Sequence, residues 1–157
     1  MKRAGFTMIE LIFVIVILGI LAAVAIPKLA ATRTDAEVSK LATNIAAAQS
    51  EVATYIVSSG EVAFTSTTYQ AASNVITSLL ADGANFASVT TDTVTFNDGK
   101  GTAATNKCLT IQVDDSNTSN VLLITSHLSG GTSAICKGIQ SIVKEGNSTV
   151  AGNRIVY

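Results

Sequence analysis

The sequence is poor in the residue types that build most catalytic and metal sites. Its 157 residues include no tryptophan, one histidine and two cysteines, and only 13% of them are charged. The histidine, His127, has no nucleophile pattern around it, so we expect a surface residue and no enzymatic activity. The two cysteines do not form a Cys-x-x-Cys pair, which argues against a metal site.

Charge and aromatic content are also low. The formal net charge is −1, and the ten Lys and Arg residues form no polybasic tract, which argues against a nucleic-acid site. Aromatic residues make up 5% of the chain, so any domain that it builds has a thin core. The length leaves room for one modest domain beside a membrane anchor.

What the sequence does have is a long apolar run at its N-terminus. The run spans residues 6–26 and rises about 30 Å as a helix, which is the hydrocarbon thickness of a bilayer. Its only charge is Glu10, and one charge in a spanning segment costs roughly 2.5–3.5 kcal/mol, so such residues are usually functional. Lys2 and Arg3 before the run predict a cytoplasmic N-terminus, although Lys28 and Arg33 beyond it weigh weakly against this orientation.

A plain signal anchor would explain the apolar run alone. No small-residue cleavage site follows Ile26, and helical pattern resumes after Pro27. A signal anchor does not account for the glycine directly before Phe6, nor for the carboxylate at Glu10.

Gly5-Phe6-Thr7-Met8-Ile9-Glu10-Leu11, followed by the apolar run and Pro27, resembles the N-terminus of type IV prepilins and type II secretion pseudopilins. The resemblance covers roughly residues 1–40. It implies that a prepilin peptidase cuts between Gly5 and Phe6 on the cytoplasmic side and methylates the new amine of Phe6. The apolar segment then stays in the mature protein.

Cleavage would create a cation at Phe6 that suits the charge of Glu10. In a bundle of parallel helices, a neighbour shifted along the axis by about one turn would place its Glu10 carboxylate beside that amine. Removing one partner of such a buried pair costs about 3–5 kcal/mol, so the pair would set the register of assembly. A carboxyl group protonated near the lipid headgroups is the alternative interpretation.

The helix is predicted to continue well beyond the membrane. An apolar stripe at helical spacing comprises Val38, Leu41, Ile45, Ala48, Val52 and Tyr55. We therefore predict one helix over residues 6–58, ended by Ser59-Gly60, with a domain docked on the stripe. A coiled coil is the weaker alternative. The resemblance implies that the portion between Gly19 and Pro27 loses helicity in a filament.

The rest of the chain predicts a small antiparallel sheet, and hence a pilin-like α+β fold. A capping box at Thr67 and Gln70 and the apolar face of residues 75–80 indicate a short helix. Strands are predicted at 94–96, 108–113, 121–125 and 154–157, with a hairpin turn at Asn97-Asp98-Gly99. Residues 135–143 suit a short helix, although a strand is also compatible. The predicted organisation is a leader at 1–5, a spanning segment at 6–26, an amphipathic segment at 27–58 and a globular head at 59–157.

Cys108 and Cys136 are predicted to form a disulfide. An extracytoplasmic head, a thin core and an even cysteine count favour it, with free buried thiols as the alternative. Type IV pilins often close a C-terminal loop in this way, although Cys136 lies farther from the C-terminus than is usual there. Residues 114–120 loosely resemble a calcium loop but lack its glycine and distal glutamate, so a solvated turn is the better interpretation and no cofactor is expected.

The resemblance implies a structural subunit that waits in the bacterial inner membrane and polymerises into a helical filament. Its partners would be the prepilin peptidase, an inner-membrane assembly platform and other copies of the chain. A type IV pilus subunit is slightly favoured over a type II secretion pseudopilin. A minor pilin whose head binds a surface, DNA or another pilin is a further alternative.

Overall fold

A computed structural model describes residues 5–60, 63–82, 86–100, 106–114, 116 and 120–152. The chain forms two compact units, Met1–Ala36 and Glu37–Tyr157. The first helix, α1, runs from Met8 to Ser59 and contains Pro27. The prediction of one long N-terminal helix is confirmed. The predicted leader, apart from Gly5, lies outside the described residues.

Gly60 ends α1 as the sequence predicts. Its φ angle is 69°, in the left-handed region that glycine adopts without steric cost, and its N–H donates to the carbonyl of Ile56 at 3.0 Å. A side chain at this position would strain the turn, so the glycine fixes where the helix stops.

Two short helices follow, α2 at Ser66–Ala72 and α3 at Asn74–Ala81. The predicted cap at Thr67 with Gln70 is wrong by two residues. Thr65 is the cap, because its backbone is extended and its hydroxyl accepts from the N–H of Thr68, while Thr67 already lies inside α2. The predicted helical face at 75–80 is confirmed, since Ile76 and Leu79 are buried.

The second unit contains a five-stranded antiparallel sheet with strands in chain order. The strands are β1 at Ala87–Val89, β2 at Thr93–Asn97, β3 at Lys107–Asp114, β4 at Asn120–His127 and β5 at Gly146–Gly152. The fourth helix, α4 at Ala134–Ile142, lies between β4 and β5 in the chain. The prediction of an α+β fold is confirmed.

Two details of the sheet differ from expectation, the hairpin connection and the presence of additional strands. The hairpin of β2 and β3 exists, but its connection runs over 98–106 rather than through a two-residue turn. Strands β1 and β5 were not predicted, because β1 is very short and β5 is largely polar. The predicted final strand at 154–157 lies outside the described residues.

The core of the second unit lies between the sheet and the stripe of α1. Thr125 of β4 accepts a 2.7 Å hydrogen bond from the side-chain amide of Gln49 on α1, so this strand face looks toward the helix. Tyr55, predicted on the stripe, is only partly buried, and Ile56 replaces it in the core. The stripe residues buried here are Val38, Leu41, Ala42, Ile45, Ala48, Val52 and Ile56.

Candidate assembly site at the N-terminus

The first unit presents a continuous apolar surface. The large apolar side chains from Phe6 to Leu29 are at least 41% exposed, and Phe6 is 89% exposed. Within the described residues, α1 is the one helix long and apolar enough to cross a membrane. Leaving each such side chain in water costs about 1.5–3 kcal/mol relative to burial, so this surface calls for lipid or protein around it.

The predicted cleavage site lies just before this helix. Gly5, Phe6 and Thr7 are exposed and adopt no regular secondary structure, and α1 begins at Met8. A peptide bond between Gly5 and Phe6 is thus outside the hydrogen-bonded backbone of α1. Lys2 and Arg3 lie outside the described residues.

Glu10 is bound to the start of its own helix. Its Oε2 accepts from the backbone N–H of Thr7 and from the hydroxyl of Thr7, both at 2.7 Å. The hydroxyl of Thr7 in turn lies 3.4 Å from the N–H of Glu10, which donates to it. This reciprocal pair is a capping box, with Thr7 at the cap and Glu10 three residues later.

Sequence reasoning missed the capping box, although its signal was present. Thr7-Met8-Ile9-Glu10 has the Thr-x-x-Glu pattern of such caps. The box holds the carboxylate within one turn of Phe6, where the predicted cleavage would create an amine. The chain thus places the two groups of the predicted assembly pair at the same end of α1.

Gly19 and Pro27 both lie inside α1, and the helix continues through them. Proline has no N–H, so the carbonyl of Ala23, four residues earlier, loses its usual helical donor. A methyl group added at Gly19 would meet no described atom within 4 Å, which leaves glycine there without a packing reason. The predicted loss of helicity between the two residues in a filament stays a prediction.

The disulfide of the second unit joins Cys108 on β3 to Cys136 on α4. Both residues are fully buried. The bond encloses β3, β4 and the start of α4, and so ties this helix covalently to the middle of the sheet. Gly131 makes room for it, because a Cβ there would lie 3.1 Å from the sulfur of Cys136 and 2.7 Å from the carbonyl of Lys107.

The remaining candidate residues form no catalytic or metal constellation among the described parts of the chain. His127 is half-buried rather than at the open surface, and its Nε2 lies 2.6 Å from the carbonyl of Val143. Asp114 accepts from the N–H of Ser116 at 2.9 Å, and hydrogen bonding to the Ser116 hydroxyl, with this backbone bond, lowers the pKa of Asp114. Most of the suggested calcium loop lies outside the described residues, and no group of three His, Cys, Asp or Glu within them is placed to hold a metal.

Comparison with known proteins agrees with this geometry. The family model of the prokaryotic N-terminal methylation motif matches residues 1–26. This motif is the signature of type IV pilins and pseudopilins. No curated protein and no solved structure matches the chain significantly. The chain therefore carries the N-terminal signature of type IV pilins and pseudopilins on its apolar α1, together with a pilin-like α+β fold.

Proposed function

We propose that the protein is a structural subunit of a type IV pilus or pilus-like filament, polymerised through α1. The observation that carries the proposal is the methylation motif at residues 1–26, placed on a helix whose apolar surface is exposed in the single chain. Prepilin peptidase cuts between Gly5 and Phe6 and methylates Phe6. Chemistry is therefore done on this chain and not by it.

The exposed apolar surface of α1 suits two apolar environments that the subunit occupies one after the other. Before assembly, residues 6–26 span the inner membrane once, with the N-terminus in the cytoplasm and the second unit outside it. After assembly through the inner-membrane platform, the same side chains pack against other copies of the chain. Such contacts repeat from subunit to subunit without closing, and so they generate a fibre.

Glu10 sets the register of that assembly. The capping box keeps its carboxylate at the N-terminal end of α1, and an incoming amine of Phe6 from a neighbouring copy neutralises it in the apolar filament core. One carboxylate oxygen, Oε2, is occupied by Thr7. The other is the oxygen that receives the neighbour's amine.

The processing claim is tested on the N-terminal peptide of protein extracted from membranes. Mass spectrometry should find a chain that begins at N-methylated Phe6. A chain that keeps Met1 in a host with prepilin peptidase would refute it. Gly5→Val should block the cut and leave a longer, unmethylated subunit in the membrane.

The role of Glu10 is tested by separating its charge from its capping bond. Glu10→Gln keeps an oxygen for the capping box but removes the charge, whereas Thr7→Ala removes the cap and keeps the charge. We expect Glu10→Gln to leave cleaved subunits in the membrane without filaments, and Thr7→Ala still to give filaments. Normal filaments from Glu10→Gln would show that the charge does not direct assembly.

A type II secretion pseudopilin is the second candidate. It is supported by the methylation motif at residues 1–26, which is a signature of pseudopilins as well as of pilins. The Cys108–Cys136 disulfide favours the pilus. Deletion of the gene in its host separates the two, since loss of surface filaments indicates a pilus and loss of exported enzymes with intact pili indicates a pseudopilus. Filaments that persist while DNA uptake or adhesion is lost would indicate a minor pilin.

A further inference from the structure

Two tripeptides match the acceptor pattern for N-linked glycosylation, Asn117-Thr118-Ser119 and Asn147-Ser148-Thr149. Alone, the pattern carries little, because the chain is rich in serine, threonine and asparagine. Both tripeptides, however, have an acidic residue two positions before the asparagine, Asp115 and Glu145. Acidic residues are 11 of 157, or about 7% of the chain, so the chance that both tripeptides have one at this position is about 1 in 200.

The second tripeptide lies on β5, an edge strand of the sheet. Asn147 pairs with Ile124 and Thr149 with Leu122, whereas Ser148 between them pairs with the buried Leu123. Since side chains alternate along a strand, Asn147 and Thr149 share the face opposite the one that packs on α1. The first tripeptide lies outside the described residues.

Both side chains that the pattern needs are accessible. Asn147 and Thr149 are exposed, and neither side chain makes a hydrogen bond in the described part of the chain. The side chain of Glu145 is 57% exposed. A glycan on Asn147 would therefore extend from the outer face of the sheet and displace no core residue.

We propose that Asn147 is a site of N-linked glycosylation, with Thr149 and Glu145 as the other parts of the acceptor signal. The donor would be an oligosaccharide joined through pyrophosphate to a polyprenyl lipid. The amide Nδ2 of Asn147 forms a bond to the anomeric carbon, the bond from that carbon to the pyrophosphate oxygen breaks, and the proton of Nδ2 passes to a base of the transferase. The carboxylate of Glu145 supplies a charge that a cationic subsite of the transferase can bind.

The fold constrains when the transfer takes place. In the folded chain, Oε1 of Glu145 accepts a 2.6 Å hydrogen bond from the N–H of His127, and β5 is hydrogen-bonded to β4. Transfer before β5 pairs with β4 would leave the Glu145 carboxylate free for the transferase, and the glycan would then lie on the exposed face of the folded sheet. The proposal rests on the proposed function, because that function places the second unit outside the cytoplasm, where lipid-linked donors are used.

The test is peptide mapping of the full-length protein, co-expressed in a bacterium with prepilin peptidase, an oligosaccharyltransferase and its lipid-linked oligosaccharide. Trypsin releases residues 145–154, which contain Asn147. Fragment ions should place the sugar mass on Asn147. A bare Asn147 in protein whose N-terminus is methylated Phe6 would overturn the proposal but leave the proposed function standing. A glycosylated Asn147 in protein that keeps Met1 would do the reverse.

Matched variants test the signal itself. Glu145→Gln and Thr149→Val should reduce occupancy of Asn147 to background, whereas Glu145→Asp and Thr149→Ser should keep it. Asp115→Asn should leave occupancy of Asn147 unchanged and serves as the control for a lost charge elsewhere. Occupancy in Thr149→Val equal to that of the parent chain would overturn the proposal.

Discussion

The hydroxyl of Ser73 donates a 2.6 Å hydrogen bond to the carboxylate of Glu51. Ser73 is both the C-cap of α2 and the N-cap of α3, and its Oγ accepts a hydrogen bond from the N–H of Ile76 in α3. Glu51, on α1, also accepts from the N–H of Val75 at 3.3 Å, in the first turn of α3. A negative charge at that end of a helix is favourable, so α1 fixes the junction of the two short helices.

Glu51→Ala should lower the free energy of unfolding by about 1–3 kcal/mol, because Ser73 is buried and would lose its charged acceptor. Glu51→Gln, which keeps an oxygen but not the charge, should cost less. Urea unfolding of the processed protein in detergent, followed by circular dichroism, measures both. Ser141→Ala removes an exposed hydroxyl bonded within its own helix and is the control. Equal stability of Glu51→Ala and the parent chain would contradict this account of the junction.

Gly138 on α4 lies close against Val38 of α1. A Cβ there would lie 2.7 Å and 2.9 Å from the two methyl carbons of Val38. Alanine is favoured over glycine in a helix by about 1 kcal/mol, but overpacking costs about 1–3 kcal/mol, and the β-branched Val38 has little freedom to turn away. We expect Gly138→Ala to destabilise the protein.

A second substitution separates packing from propensity. In the double variant Val38→Ala/Gly138→Ala the clash is gone. Its loss of unfolding free energy should therefore be smaller than the sum of the losses in the two single variants, as a double-mutant cycle measures. Gly130→Ala, where a Cβ meets no atom within 4 Å, should change stability by less than about 0.5 kcal/mol. Additive effects of the two substitutions would contradict the contact.

Much of the fold could be predicted because its signals are periodic. The stripe of α1 repeats at helical spacing, β3 largely alternates between apolar and polar residues, and β4 contains the short apolar run Val121–Ile124. Strand β5 escaped prediction because residues 146–149 are all exposed, so its only mark is the pairing with β4. Pairing of an edge strand depends on its neighbour and not on its own composition.

Part of the candidate site could be predicted because its signal also lies in the local sequence. Gly5, Phe6 and Glu10 follow from one contiguous motif, which needs no tertiary structure to be seen. The capping bond of Thr7 is easily overlooked in the sequence, because an amine on another subunit already accounts for the charge of Glu10. The cap of α2 was misplaced because Thr65 and Thr67 are both suitable residues, and only the backbone angles decide between them.

The disulfide should be a major source of stability in the second unit. Its partners are 28 residues apart, and closing a loop of that length stabilises by about 3–4 kcal/mol in the chain-entropy model. Cys108→Ala/Cys136→Ala should lose about that much in urea unfolding. The parent chain treated with reductant should lose a similar amount, which controls for the changed side chains. A loss below about 1 kcal/mol in both would show that the bond does not restrain the unfolded chain.

Tyr69 should make the protein sensitive to alkali. Its ring is fully buried, its hydroxyl donates to the carbonyl of Asp92 at 3.0 Å, and it accepts from the N–H of Val113 at 3.1 Å. Burial raises the pKa of Tyr69 to about 12, above the value of about 10 for an unfolded tyrosine. Between these values the folded state holds the phenol proton more tightly than the unfolded state does. The contribution of the Tyr69 phenol to the stability of the folded state is therefore complete below about pH 10 and is lost as the pH rises through about 12.

Tyr69→Phe separates this effect from other alkaline titrations. At neutral pH it should be less stable by about 1–2 kcal/mol, because the N–H of Val113 loses its partner in the core. From about pH 10 to 12, its stability should fall less steeply than that of the parent chain, since the buried phenol is gone. Tyr55→Phe, at a partly buried tyrosine, should keep the steep fall. Urea unfolding at stepped pH with tyrosinate absorbance measures both, and identical slopes for Tyr69→Phe and the parent chain would show that the Tyr69 phenol does not titrate with unfolding.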